Sequence, residues 1–551
     1  MSQMTLIAIA SPTSILLSLG GIWLLWRLAH YALVRSPLDN IPGPNPASWR
    51  KGNLHHFSDR HGWRFLDRLD TYNGVARVDG LFGDKLLYIF DPTALQYIII
   101  KDQQSYEPVS WWTTILNFTL GPGLLGTYGD HHRNQRKMLN PVFSSAHMRN
   151  ITPVFYQVAY KLRDGITTEV KDAPKDVDIL SWMGRTALEL IGQGGLGYSF
   201  DPLTENIPNL YGDALKAYLP TVARLGWLRH LTHHVKFIGR LSCARAIVSY
   251  IRIERLQNMV KIVTTLEEMA NEILKDKREA LAAGDETLME QIGQGKDIMS
   301  ILLRANTLAH EDEKLGEDEL KGQMRTLLFA ATDTTSGALT QILQLLAEHP
   351  DVQERLREEI IDAYQDGEVP YDTLIGLPYL DAVCRETLRL YPPVSSVFRQ
   401  ANRNTVLPLS QPIRGNDGTL LSEIPITKGT TTIVAIRACN RNKALWGEDA
   451  LEWKPERWLS PLPETVTNAR IPGVYSNQLS FFGGGRSCIG IQFSQLEMKV
   501  VLSVMINTFK FSMPDSKYKI TWNLAGVKYP TVEQYGLQPC FPMKIERVRK
   551  A

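Results

Sequence analysis

Cysteine is scarce in this chain: Cys243, Cys384, Cys439, Cys488 and Cys540 are five residues in 551, widely spaced and without a CxxC pair. That excludes the paired-thiol patterns of structural zinc and dithiol chemistry, fits a reducing compartment, and leaves at least one thiol unpaired. An excess of one charge is missing too, because 60 Lys and Arg face 58 Asp and Glu for a net of +2. Recognition of nucleic acid or another anionic polymer by the whole surface is therefore not expected. There is no fixed-period repeat and no low-complexity tract. With 44% hydrophobic and 21% charged residues, the composition is that of a chain able to bury a sizeable core.

Charge is absent altogether from Met4 to Trp26, twenty-three residues that end at Arg27. At about 1.5 Å per residue such a run can cross a hydrocarbon core of roughly 30 Å. A cleaved signal peptide carries positive charge before its apolar stretch. Here Arg27, Arg35, Arg50 and Lys51 follow it, and Ala8-Ile9-Ala10 lies too early for a cleavage motif. The reading is a retained transmembrane signal anchor over 4–26, a basic and proline-rich stalk over 27–50, and a body over 51–551 facing the cytosol. In Ile41-Pro42-Gly43-Pro44-Asn45-Pro46 the prolines fix φ and disfavour helix, which predicts a stiff extended spacer.

Within the body, helical periodicity with short breaks fills most of Leu95 to Glu386, and Gly284 to Lys296 reads as a surface loop. Thr405 to Ala435 is rich in Thr, Ile and Val, with hairpin turns expected at Asn416-Asp417-Gly418 and Lys428-Gly429. The fold class is mainly α with a smaller β portion, in a single large domain, since no linker divides the body. Gly192-Gln193-Gly194-Gly195-Leu196-Gly197 fits the GxGxxG pattern of dinucleotide-binding proteins but follows a helical repeat instead of a strand. Those glycines are expected to end a helix, so electrons must reach this chain from elsewhere.

The densest motif is Phe481-Phe482-Gly483-Gly484-Gly485-Arg486-Ser487-Cys488-Ile489-Gly490, followed by a helical run from Ile491 to Leu502. Three glycines let backbone pass close to a flat cofactor, and amides at the start of the next helix favour an anionic Cys488 sulfur. Phe481 can shield that sulfur, Arg486 can pair with a cofactor carboxylate, and Gly490 permits close packing of the helix. A buried cysteine beside a glycine turn is the plainer reading of a lone thiol, and the ten-residue pattern outweighs it.

These residues resemble the haem-binding loop of the cytochrome P450 family, whose pattern FxxGxRxCxG is matched at Phe481, Gly484, Arg486, Cys488 and Gly490. The resemblance implies the cytochrome P450 fold, haem b (iron protoporphyrin) as cofactor and Cys488 as thiolate ligand to its iron, which favours cleavage of the O–O bond of dioxygen. Asp318 to His349 reads as one long helix of about 48 Å, interrupted at its middle by Thr332-Asp333-Thr334-Thr335-Ser336. Small polar groups there break the local rule and suggest function. The segment resembles the family's oxygen-binding helix, with Asp333 and Thr334 as its proton-supplying acid and alcohol. Ala331 stands where a glycine is usual.

Glu386-Thr387-Leu388-Arg389 places opposite charges on one helical face. With Pro455-Glu456-Arg457-Trp458 downstream, it resembles the family's buried triad of Glu386, Arg389 and Arg457. The resemblance further assigns Arg486, Arg399 and Arg136 to the haem propionates, with His132 as an added donor. Arg133, Arg136 and Lys137 form a basic cluster suited to an acidic reductase. Trp111, Trp112 and Phe118, in the loop before the Arg136 helix, Phe329, Ala330 and Val394 to Phe398 are the expected pocket lining.

The closest resemblance is to fungal microsomal members of that family. It implies insertion of one oxygen atom from O2 into a small lipophilic substrate: a terpenoid, sterol, fatty acid or aromatic compound. Electrons would come from NADPH-cytochrome P450 reductase, with cytochrome b5 as a further donor, at the endoplasmic reticulum membrane. A haem-thiolate isomerase or dehydratase would need no reductase, and a non-catalytic haem ligand-binding protein would turn nothing over.

Overall fold

The computed structural model describes residues 36–548 except 172, 205–209, 226–250, 252, 285–294, 312, 365–366 and 515–517, together with Ser18, Gly20, Gly21, Ile22 and Leu25. Most of the expected anchor, the first part of the stalk and most of the Gly284–Lys296 loop lie outside the described residues. Among the described residues no helix is long and apolar enough to cross a membrane.

One hydrophobic cluster forms around a mixed sheet. Its strands are β1 (Val75–Asp79), β2 (Lys85–Ile89), β3 (Tyr106–Pro108), β5 (Val397–Ala401) and β8 (Thr431–Val434), in the order β1-β2-β8-β5-β3. Only β2 and β8 run parallel. The Leu86-Leu87-Tyr88-Ile89 run is buried along its whole length, as expected of a central strand covered on both faces. Residues 175–178 form β4 (Lys175–Asp178), which pairs with β12 (Pro542–Arg547), itself paired with β9 (Phe509–Ser512). Two further pairs are β6 (Thr405–Arg414) with β7 (Leu420–Ile426) and β10 (Ile520–Asn523) with β11 (Tyr529–Val532).

The turn between β6 and β7 falls at Asn416-Asp417-Gly418, where Asp417 Oδ1 accepts from the Thr419 amide at 2.9 Å and Gly418 takes φ +88°. The second expected hairpin does not form. Lys428-Gly429 connects β7 to β8, which belong to different sheets, because the Gly429 amide donates to Ala401 of β5.

The proline-rich segment expected to be a spacer is seated on this sheet. Pro37–Asn40 is a 3-10 turn, Ile41 is 1% exposed, and the Arg77 amide of β1 donates to Pro42 O at 2.8 Å. A side chain at Gly43 would strike Arg77 O. The prolines keep the chain extended, but along a strand.

The larger cluster is helical. Helices of ten or more residues are α1 (Ser110–Thr119), α2 (Gly129–Leu139), α3 (Ser145–Glu169), α4 (Ile179–Leu190), α5 (Leu210–Arg224), α6 (Glu254–Ala283), α7 (Ile298–Leu308), α8 (Glu317–Glu348), α9 (Pro350–Ala363), α10 (Pro378–Leu390) and α11 (Ile491–Thr508). Central α8 packs against α4, α6, α10 and α11, while α11 also lies on α3. Pro350 starts α9 as its first residue, the position where a missing N–H costs nothing. The GxGxxG stretch continues α4 as one π-helical turn, Ile191–Leu196, and Gly197 caps it at φ +59°. No strand precedes it, which removes the nicotinamide reading.

Candidate functional site

Two residues separate Cys488 from the start of α11, and the Cys488 amide donates to Phe481 O at 2.9 Å, closing a tight loop. Phe482 at the bend has φ +58°. The glycines of this loop serve a different purpose from the one expected. A Cβ at Gly483 would lie 1.7 Å from Pro472 O, and one at Gly484, at φ +61°, would lie 2.2 Å from Ile99 O. Protein backbone therefore demands them, holding the loop against the 97–105 turn, where Gln103 Oε1 accepts from the Gly485 amide. Gly490 is not required by helix packing, since a Cβ there would meet only Phe143 at 3.9 Å.

The Cys488 side chain is exposed, yet burial raises its thiol pKa. Both hold for a group lining a recess inside the fold. The Gly490 amide and Arg136 pull the pKa down without offsetting the rise. The helix start alone thus does not offset the cost of burying a thiolate here. Phe481 packs edge-on against Tyr475 at 5.2 Å, next to the loop.

Three arginines and a histidine gather beside this recess. Arg399, on β5, is 7% exposed, donates to Phe398 O at 3.0 Å and lies over the Phe482 ring. Burial, then Arg486, lowers its pKa to about 9. Arg486 donates to Thr127 O at 2.8 Å and to Glu107 Oε2 at 3.3 Å. Arg136 is engaged otherwise than expected: it donates to Ser487 O at 2.6 Å and to Ser487 Oγ at 3.0 Å, bracing the cysteine loop. His132 is buried, and burial with the three arginines lowers its pKa to about 3, so it is neutral. Repulsion of this kind marks a site built for anions.

The cofactor that the cysteine loop implies carries two carboxylates, and its fit is tested by this charge. Three guanidinium groups face one acid, Glu107, with a residue of two positive charges. A buried excess of that size is costly unless anions neutralise it. The donor set fits haem: a sulfur for the iron, and two uncompensated cations for two propionates.

On α8, Ala330 is exposed in the middle of a helix whose central turns are largely buried, with Asp333 and Thr334 half-buried. Thr334 Oγ1 donates to Ala330 O at 2.7 Å, and Thr332 likewise to Leu328 O. Burial raises the Asp333 pKa to about 6, against a smaller opposing pull from Lys216 of α5. Phe329 meets Tyr218 of α5 edge-on at 5.0 Å, and Tyr218 shares a 2.5 Å hydrogen bond with Thr119 of α1. Trp111, Trp112 and Phe118 lie on helix α1, not in a loop. Trp111 packs against Phe398 at 6.4 Å, so part of the expected lining does converge.

Glu386, Arg389 and Arg457 come together as expected. The surface cluster is less free than its sequence suggests, because Arg133 pairs with Asp130 and Lys137 with Glu313. Sequence reading missed Glu107, Thr127 and Ser487. Glu107 and Thr127 belong to no motif, Ser487 is an unassigned position within the cysteine loop, and each reaches an arginine only through tertiary folding.

Comparison with known proteins agrees with this geometry. The cytochrome P450 family model matches residues 42–532. The chain is 53% identical over 532 residues to Cytochrome P450 monooxygenase 91 of Postia placenta, covering 96% of this chain and 98% of the relative. It is 45% identical over 558 residues to a ganoderic acid synthetase of Ganoderma lucidum, covering 99% of each. To a cytochrome P450 monooxygenase of Hericium erinaceus it is 38% identical over 510 residues, covering 91% and 92%. A buried cation excess beside a recessed cysteine, with a family match over most of the chain, places this protein in the cytochrome P450 family of haem-dependent oxidoreductases.

Proposed function

We propose that the chain is a haem-thiolate monooxygenase that inserts one atom of O2 into a lipophilic substrate, with Cys488 as the ligand to haem b. The observation that carries this reading is an exposed sulfur just ahead of α11 in a loop braced by Arg136, with Arg486 and Arg399 as buried cations close by. Held through Cys488, the haem supplies oxygen activation. Arg486 and Arg399 orient it by its carboxylates, and Arg136 holds the cysteine loop through Ser487. Asp333 holds a proton that it can release near neutral pH, as its pKa of about 6 suits a general acid. Thr334 carries that proton onward from its hydroxyl, and the apolar residues around it exclude bulk water.

Electrons come from NADPH through a separate reductase, with cytochrome b5 as an additional donor, a reading supported by the GxGxxG stretch continuing a helix instead of following a strand. The apolar run over 4–26 anchors the protein in the endoplasmic reticulum membrane. Aromatic lining from Trp111, Phe329 and Phe398 suits a terpenoid, sterol, fatty acid or aromatic substrate. The relative named for ganoderic acid makes compounds related to that acid the first to screen.

The test is spectroscopic. Reduced protein under carbon monoxide is expected to show the red-shifted band of thiolate-bound haem, and Cys488→Ser to lose it; an unaltered spectrum in that variant sinks the reading. With reductase and substrate present, Thr334→Ala is expected to consume oxygen without matching product. Unchanged coupling removes Thr334 from proton delivery.

A further inference from the structure

One acid stands among the cations of the haem clamp, and nothing in the proposed chemistry uses it. Glu107 sits in the three-residue strand β3, with Gln400 of β5 as its register partner and Arg399 opposite the next residue, Pro108. Its carboxylate reaches away from the strand to Arg486, at 3.3 Å from Nη2. The other arm of the same guanidinium is held by Thr127 O at 2.8 Å. Arg486 is thus gripped at both terminal nitrogens by protein acceptors. Each of those nitrogens has a second hydrogen, and Nε has its own, so donors remain for a ligand carboxylate.

The charge sum gives this grip a meaning. Without Glu107 the clamp would hold three positive charges against a cofactor bearing two carboxylates. With it the sum is two against two. We infer that Glu107 is a positioning residue of the haem clamp: it fixes the Arg486 guanidinium for the propionate and trims the local charge to match the dianionic cofactor. It is a fixed negative charge beside the cofactor, so it disfavours the gain of an electron there. Glu107 thereby keeps the reduction potential lower than the arginines alone would set it.

The inference rests on the haem-thiolate reading, and its test separates the two. Wild type, Glu107→Gln and Glu107→Ala are each reconstituted with haem. The thiolate-type carbon monoxide spectrum is recorded first, and its absence in wild type defeats the haem reading itself. Reduction potential is then measured by dithionite titration, and haem loss by transfer to apomyoglobin. Glu107→Gln removes the charge but keeps an acceptor for Arg486, so a positive shift in potential with near-normal haem loss is expected. Glu107→Ala removes both, and haem loss should accelerate on the order of tenfold, the size of one charge-assisted hydrogen bond. Potentials unchanged in both variants would overturn the proposal and leave Glu107 as an ordinary ion pair at a sheet edge. Faster haem loss without a shift in potential would also overturn the charge-trimming role.

Discussion

Two groups of buried charge in this protein are built on opposite plans. In the first, Glu386 and Arg389 are 0% exposed and every partner is internal. Arg389 donates twice to Glu386, at 2.8 and 2.7 Å, and spends its remaining arm on the carbonyls of Asn440 and Ala450. The same carboxylate accepts from Arg457 Nε, the Lys454 amide and Trp458 Nε1. In the second group, Arg486 repels both Arg399 and Arg136, with Glu107 as the one paired carboxylate among the described residues. A closed network specifies the fold, whereas an open one is specified by something the chain does not contain.

The largest effect should come from breaking the closed network. Glu386→Ala leaves Arg389 buried without a carboxylate, while Arg457 keeps Asp449, and should cost about 3–5 kcal/mol. Urea denaturation reads this directly, and a variant as stable as wild type would mean that the triad is not what pins the segment from Asn440 to Trp458. Arg399→Leu attacks the open group and should behave differently. Apoprotein stability should not fall, because a repelling cation is removed, while haem affinity should drop by roughly 10–100-fold for the lost charged hydrogen bonds. An apoprotein that unfolds instead would place both groups in one class.

A smaller effect sharpens the contrast from a third position. Asp333 has no close ion pair among the described residues, and burial raises its pKa from 3.8 to about 6. Between those values the folded protein binds the proton more tightly than the unfolded chain. Stability therefore falls as pH rises through that window and stays lower above it. Asp333→Asn should flatten this slope and stabilise the protein near pH 7 by on the order of 2 kcal/mol. Thermal melts from pH 4 to 7 measure it, and a slope unchanged in the variant would assign the dependence to other groups.

The closed triad was legible in the sequence, because Glu386 and Arg389 are one helical turn apart and Arg457 lies in its own short motif. Cys488 was legible for the same reason: its loop is contiguous. Long periodic helices such as α8 and the β6–β7 turn were equally plain. What stayed hidden depends on pairing between distant segments. Nothing local in Tyr106-Glu107-Pro108 says that it will lie beside Val397–Ala401, and only that register brings Glu107 to Arg486. The glycines at 483 and 484 were correctly seen as a close approach but assigned the wrong neighbour, since the backbone of Ile99 and Pro472 comes from elsewhere in the chain. Trp111 and Trp112 were placed in a loop because α1 has no side-chain cap to announce its start.

The docking of Ser36 to Pro46 on the sheet sets a leash length. Asn416 donates to Asp39 O at 2.8 Å and to Ile41 O at 3.2 Å, so the chain is gripped almost as soon as it enters the body. Ten peptide steps separate Trp26 from Ser36, which span at most about 35 Å when fully stretched. With the proposed anchor in a bilayer, the catalytic body would be free to tilt but not to roam, and the β6–β7 turn would always ride within that radius of the lipid.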